Sequence, residues 1–305
     1  MTATLPKDRR PNLIGIGAAK CGTTWLAEVL SRHPDIFVHP QKELNALVYN
    51  DLDARLDEYA AYFDEGRDAK IRCDFSVRYL SWPSTPAAAA RLAPDAKLLL
   101  VVRNPVDQVQ SHYWHLRRQN FHQYEAVSPA PDLFEALERF PGLLLEPALY
   151  GKHVHRWLEK FPRERLLILD SRELRSNLAG ALARICDFLE IEAFDFTEAA
   201  QATSAQDGRA GVSPRGGLTE RLFSSLYVSV ARGPYMWLKR TVGVEGAERV
   251  KRVLRLRQTA EAVFFKSGYP KLSPADRARL FEVFREDIAR FVLLAPFAAD
   301  WSAAP

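Results

Sequence analysis

The sequence predicts an α/β fold in three layers, a central parallel sheet with helices on both faces, followed by a helical C-terminal extension. Three observations carry this. Short apolar runs recur through the first part of the chain, the stretches between them have helical character, and 305 residues that are 47% hydrophobic and 26% charged can bury a substantial core. Short apolar runs alternating with helices are the pattern of buried parallel strands in βαβ units.

Asn12 to Gly17 is the first run and ends in glycine, and Lys97 to Val102 and Arg165 to Leu169 are similar, with Ala69 to Asp74 a weaker one. The intervening helices are predicted at Thr23 to Arg32, Trp82 to Leu92, Val106 to Gln119, Gly151 to Phe161 and Asn177 to Leu189. From about 192 to 220 the chain becomes rich in Gly, Ser, Ala and Thr and reads as a loop. An aromatic and basic stretch at about 221–257 follows, and an amphipathic helix at about Pro274 to Leu294 closes the chain, with Ser273 as its N-cap and Pro274 at its first position. Residues 1–10 read as a flexible N-terminus and 11–305 as one domain.

The net charge is only +4, so the chain as a whole is no polyelectrolyte binder, and nucleic acid is not expected as a partner. The charge is uneven: Arg232 to Arg257 holds eight Lys or Arg against Glu245 and Glu248. A solvated helical face is one reading of this segment, and an acceptor lid or a peripheral contact with anionic lipid or glycan is the other. The cysteines, Cys21, Cys73 and Cys186, are odd in number and widely spaced, which suggests neither a disulfide framework nor a zinc site and fits a reducing compartment. The N-terminus lacks an apolar signal core, and the longest apolar-rich run, Phe291 to Ala299, is too short to span a membrane. A cytoplasmic protein is expected.

Gly15-Ile-Gly-Ala-Ala-Lys20-Cys21-Gly22-Thr23-Thr24-Trp25 follows the first strand and opens the first helix. A helix start offers free amides and the positive end of the dipole, so it holds phosphate. Gly22 allows close backbone approach, Thr23 and Thr24 add hydroxyl donors, and Lys20 supplies a cation. A magnesium-dependent P-loop needs Gly-Lys-Ser/Thr. Here the lysine precedes the glycine, which argues against an ordinary ATPase, GTPase or kinase. Lys20-Cys-Gly-Thr-Thr-Trp25 resembles the 5′-phosphosulfate loop of sulfotransferases that use 3′-phosphoadenosine 5′-phosphosulfate (PAPS). The resemblance implies a P-loop-like fold, PAPS as donor cosubstrate, no metal, and a lysine that steadies the departing phosphate.

Arg103-Asn-Pro-Val-Asp-Gln-Val-Gln-Ser111 follows the strand KLLLVV. Asn104 is a good N-cap and Pro105 suits the first helical position, and Ser111 lies two turns on from the cap. The arginine and the serine eight residues later are similar to the family's 3′-phosphate site, which Arg215 and Gly216 would complete from the late loop. Pro40-Gln-Lys42-Glu43-Leu-Asn45 resembles the segment that supplies a glutamate base in carbohydrate-type and bacterial members, with Lys42 toward the acceptor. Asn45, Ala46 and Leu47 depart from the histidine and aromatic pair found there. Asp74-Phe-Ser-Val-Arg-Tyr79 resembles a further family segment and would bring Asp74 and Tyr79 to the donor or acceptor pocket. His33, His39 and His115 are the other candidates for a base. Cys21 reads chiefly as a small residue tolerated inside the loop; the alternative is redox control, since a helix start and Lys20 should lower a thiol's pKa. The expected function is sulfuryl transfer from PAPS to a hydroxyl of a carbohydrate, glycolipid or small-molecule alcohol. The rival readings are a non-catalytic scaffold of this family that binds lipid or glycan, and a kinase with an atypical loop.

Overall fold

The computed structural model describes residues 5–118, 132–206, 212–214 and 265–303. In chain order the elements are β1 (Leu13–Gly17), α1 (Thr23–Leu30), β2 (Ile36–Val38), α2 (Leu56–Ala61), β3 (Ile71–Phe75), α3 (Thr85–Leu92), β4 (Lys97–Val102) and α4 (Pro105–Arg118). They continue with α5 (Leu133–Arg139), α6 (Pro141–Leu144), α7 (Tyr150–Leu158), β5 (Leu166–Asp170), α8 (Glu173–Ser176), α9 (Leu178–Leu189) and α10 (Thr197–Gln206). Last come β6 (Val212–Pro214), β7 (Phe265–Ser267) and α11 (Pro274–Val292). The chain divides into two compact groups, Met1–Val109 with Phe140–Gly208 and Leu272–Pro305, and Gln110–Arg139 with Arg209–Lys271.

The first group is built on a five-stranded sheet in the order β2-β3-β1-β4-β5. Its neighbours all run parallel. β1 and β3 are buried along their whole length, and β4 from Leu98 onward. That is why β1 and β4 read as continuous apolar runs, and β3, which carries Arg72 and Asp74, as a weaker one: helices cover both faces. Gly15 sits within β1 because a Cβ there would meet the Phe75 ring of β3 at 1.9 Å. From β1 the chain moves to β2 and β3 on one side, then crosses to β4 and β5 on the other. This reversal places the loops after β1 and β4 side by side at the carboxyl edge, where open α/β sheets bind ligands.

The C-terminal helix completes this group. Ser273 Oγ accepts the Asp276 amide at 3.0 Å, the cap expected from the sequence. Asp287 of α11 accepts the amides of Gly151 and Lys152 at 2.8 and 2.7 Å and so caps the start of α7. Tyr150, Phe291 and Trp301 pack ring against ring beneath that cap, with centroids 5.6 to 5.9 Å apart.

β2 is not among the expected strands, because three residues are too few to stand out in the sequence. Two expectations are corrected. The helix expected from Trp82 starts at Thr85, because Ser84 and Pro86 set its first turn. The late segment is not all loop, since α10 and β6 lie within it, and β6 pairs with β7 as an antiparallel ribbon in the second group. The basic stretch 221–257 lies outside the described residues. No helix among those described is long and apolar enough to cross a membrane.

Candidate functional site

The loop after β1 turns sharply before α1. Lys20 adopts the left-handed backbone conformation at φ 64°, and Gly22, the N-cap of α1, does so at φ 91°. For a lysine this conformation costs on the order of 1 kcal/mol, so it persists only where the surroundings impose it. The surroundings do so here through hydrogen bonds to the backbone of the loop. The Ala18 amide donates to Val101 at 2.7 Å, tying the loop to β4. Gln108, fully buried on α4, donates to the Ala19 carbonyl at 3.0 Å. No side chain caps the start of α1, which leaves its first amides for a ligand. Thr23 is buried and Thr24 exposed, and Trp25 is half-buried.

Arg103 follows β4. The Val106 amide donates to Asn104 Oδ1 at 3.0 Å, so Asn104 caps α4 as the sequence predicts. Arg103 Nε is buried and has no hydrogen-bond partner. Its nearest carboxylate, Asp107, is 3.8 Å away and is itself held by Arg277 at 2.7 Å. A guanidinium left this loosely paired at the carboxyl edge suits an external anion. Ser111 lies two turns along α4, in the second group, with its hydroxyl 3.4 Å from that of Tyr269.

The loop after β2 carries Lys42 and Glu43. Glu43 is also left-handed, at φ 69°, as is Asn45 at φ 53°. Lys42 Nζ donates to Glu43 Oε1 at 2.5 Å, and the Val77 amide donates to Oε2 at 2.9 Å. The Glu43 amide donates to the Phe75 carbonyl at 3.1 Å, which fixes the loop to the end of β3. Each carboxylate oxygen keeps a second lone pair, so the group can still take a proton.

Behind this loop lies a buried polar network. Tyr59 and Tyr79 each donate to Asp74 Oδ2 at 2.8 Å, and Ser76 Oγ is 3.4 Å from Oδ1. With their protons turned toward Asp74, the hydroxyls offer lone pairs outward. Ser76 Oγ accepts the Asn45 amide at 3.0 Å and Tyr79 OH the Leu47 amide at 3.4 Å. Burial pushes the Asp74 carboxyl up to about 6, against the pull of these donors. Asp74 and Tyr79, expected against a ligand, are both wholly buried and instead hold the Glu43 loop from behind.

A second correction concerns Cys21. Its thiol points into the core, 3.8 Å from Tyr150 OH, and burial pushes its pKa up to about 12, outweighing Lys20 and Arg103. It is no activated thiol. Of the histidines, His33 is buried and uses both ring nitrogens, accepting the Asp35 amide at 3.0 Å and lying 3.0 Å from the Glu192 carbonyl. His39 Nδ1 accepts the Gln41 amide at 3.0 Å. His115 lies on α4 within the second group. Arg215 and Gly216 lie outside the described residues. No cluster of metal-ligating side chains occurs among the described residues. Sequence reasoning missed Gln108 and Tyr59, and it named Asn45 only as a departure from the family's segment. Only Asn45 carried a signal, since asparagine tolerates the left-handed region better than most residues.

Comparison with known proteins identifies the family. Residues 10–207 match the Sulfotransferase domain family. Human bifunctional heparan sulfate N-deacetylase/N-sulfotransferase 2 is 32% identical over 200 residues, covering 61% of this chain and 23% of that protein. The mouse bifunctional heparan sulfate N-deacetylase/N-sulfotransferase 3 is 30% identical over 208 residues, covering 63% and 24%. The chain thus spans about a quarter of the length of these curated relatives. A sulfotransferase crystal structure from Alicyclobacillus acidocaldarius is 29% identical, covers 73% of this chain and 94% of its own, and superposes with a TM-score of 0.53. The matched span contains both edge loops and the whole five-stranded sheet, and the chain belongs to the sulfotransferase domain family.

Proposed function

We propose that this chain transfers a sulfuryl group from PAPS to a hydroxyl of an acceptor, with Glu43 as the base. The observation that carries the reading is the left-handed Lys20 in an uncapped strand-to-helix loop, with the underpaired Arg103 just after the neighbouring strand of the sheet. Lys20, Gly22, Thr23, Thr24 and the amide of Trp25 would hold the 5′-phosphosulfate. Arg103 and Ser111, with Arg215 and Gly216, would hold the 3′-phosphate. The donor supplies sulfur bound to a good leaving group: the acceptor oxygen bonds to sulfur as the sulfur–oxygen bond to the 5′-phosphate breaks. Glu43 takes the proton from the acceptor hydroxyl as that bond forms. Lys20 balances the charge that builds on the departing phosphate oxygen, and Lys42 fixes the orientation of Glu43. Catalysis then rests on placement and charge, as in phosphoryl transfer. The matched relatives, named for N-sulfotransfer to heparan sulfate, support sulfuryl transfer as the reaction class.

The test is calorimetric binding of 3′-phosphoadenosine 5′-phosphate without magnesium, followed by transfer of labelled sulfate from PAPS. Wild type is expected to bind at micromolar Kd or tighter, about −8 kcal/mol. Lys20→Ala and Arg103→Ala should each lose most of that affinity. Binding of ATP with magnesium and not of this nucleotide would overturn the reading in favour of a kinase.

A further inference from the structure

The turn that follows β3 begins at the base. Val77 donates its amide to Glu43, and the next residues carry features that neither donor binding nor proton transfer uses. Arg78 is exposed, and its guanidinium carbon sits 4.7 Å from the centroid of the Trp82 ring. Trp82 itself leaves 37% of its surface open. Arg156 reaches the same turn from α7. Its Nη2 donates to the Ser81 carbonyl at 2.9 Å, lies 3.5 Å from the Leu80 carbonyl, and is 2.7 Å from His153 Nδ1. His153 brings no negative charge to this contact. Its other nitrogen faces the Glu146 carbonyl at 2.7 Å, and burial pushes its pKa down to about 4, so it is neutral. Glu146, the carboxylate next to it, is engaged by Lys152 at 2.8 Å.

The same group of the molecule contains a control for this arrangement. Arg55 also lies over an exposed ring, Tyr49, at 4.4 Å, but it is neutralised by Glu58 at 2.9 Å. Arg9, Arg67 and Arg91 likewise have carboxylate partners. Among the described residues, Arg78 and Arg156 form no ion pair. Two cations that form no ion pair are therefore tied to one turn, beside a partly exposed indole and one residue from the peptide that holds the base. A guanidinium in this setting favours a planar carboxylate or a sulfate, which it can bind through two parallel hydrogen bonds. The part of the indole left exposed favours a sugar or aryl ring.

We propose that Arg78 and Trp82 form an acceptor subsite, with Arg156 holding the turn from beneath, and that it takes an acceptor presenting a carboxylate or sulfate beside a flat sugar or aryl face. The assignment deepens the proposed function and rests on Glu43 being the base.

Two matched probes test it: 4-nitrophenyl β-glucuronide and 4-nitrophenyl β-glucoside, which differ only at C6, a carboxylate in the first and a hydroxymethyl group in the second. Binding of each to wild type, Arg78→Gln and Trp82→Ala is measured by calorimetry in the presence of 3′-phosphoadenosine 5′-phosphate, whose own affinity is measured on the same samples. Both substitutions are at exposed positions, so the fold should persist. Wild type is expected to favour the glucuronide about tenfold, the size of one charge-assisted contact. Arg78→Gln should abolish that preference and leave the glucoside unchanged, whereas Trp82→Ala should weaken both probes alike. Equal binding of the two probes, binding of neither, or a preference that survives Arg78→Gln overturns the subsite. If nucleotide binding is normal in those cases, sulfuryl transfer from PAPS still stands. If wild type binds no nucleotide, the underlying reading fails and the subsite with it.

Discussion

The loop after β1 and the loop after β2 hold their key residues, Lys20 and Glu43, in the same disfavoured backbone conformation but by different means. The first loop is nearly self-contained. Its glycine, lysine and threonines are contiguous, and β4 and α4 add one bond each. The second is held at a distance. Its shape depends on Phe75, Ser76, Val77 and Tyr79, all some thirty residues further along, and through them on Asp74 and Tyr59. A motif contained in one stretch is visible in a sequence, whereas a loop shaped by another strand is not.

This contrast predicts that the two loops fail differently. Glu43→Gln keeps an acceptor for the Val77 amide but removes the base. It should lower kcat by about a thousandfold while nucleotide affinity stays within a factor of about two. Unchanged kcat would transfer the base to another group, with His39 next in line. Lys20→Ala should cost about a hundredfold to a thousandfold in kcat, as for loss of one charge-stabilising donor, and should weaken the nucleotide as well. If Lys20→Ala affected only acceptor affinity, the roles assigned to the two loops would be reversed.

Asp74 separates the loops by pH. Its native carboxyl keeps a proton up to about pH 6, while an unfolded aspartate loses it near 3.8. The native state therefore holds more protons across that window, and stability falls as pH rises through it, by on the order of 3 kcal/mol. Exposed Asp64 and Glu58, whose pKa values are lowered by arginine partners, slope the other way. The quantity to measure is thus the difference in unfolding free energy between wild type and Asp74→Asn from pH 4 to 7. That difference should shrink toward high pH, where the ionised carboxylate no longer favours wild type. A flat difference would mean that Asp74 ionises as freely in the folded protein as in the unfolded chain.

The same contrast explains what the sequence revealed. Three of the five sheet strands stood out because burial on both faces makes them near-continuous apolar runs, and β3, with Arg72 and Asp74 in it, stood out more weakly. β2 did not, since Ile36–Val38 is three residues at an edge with only its first residue buried. Asn104 and Ser273 were legible as caps because capping is local chemistry. The places of Asp74 and Tyr79 were not. The sequence put an acid and a phenol at the end of a strand, but only the packing of Tyr59 against them decides that they face inward. The lowered pKa considered for Cys21 fails for a related reason: its neighbours along the chain are Lys20 and a helix start, yet its neighbour in space is Tyr150.

The smallest effect should therefore come from Cys21, although it lies at the centre of the phosphate loop. With its thiol buried and its pKa raised to about 12, iodoacetamide at pH 8 should leave it unmodified in the native protein, and nucleotide binding should survive the treatment. Cys21→Ala removes only a sulfur packed beneath the loop, so it should cost about 1 kcal/mol of stability and less than a threefold change in nucleotide affinity. Rapid alkylation with loss of binding would show that the thiol turns outward in solution. The loop after β1 would then be less rigid than its contacts with β4 and Gln108 imply, and the distinction between a self-contained loop and a supported one would have to be redrawn.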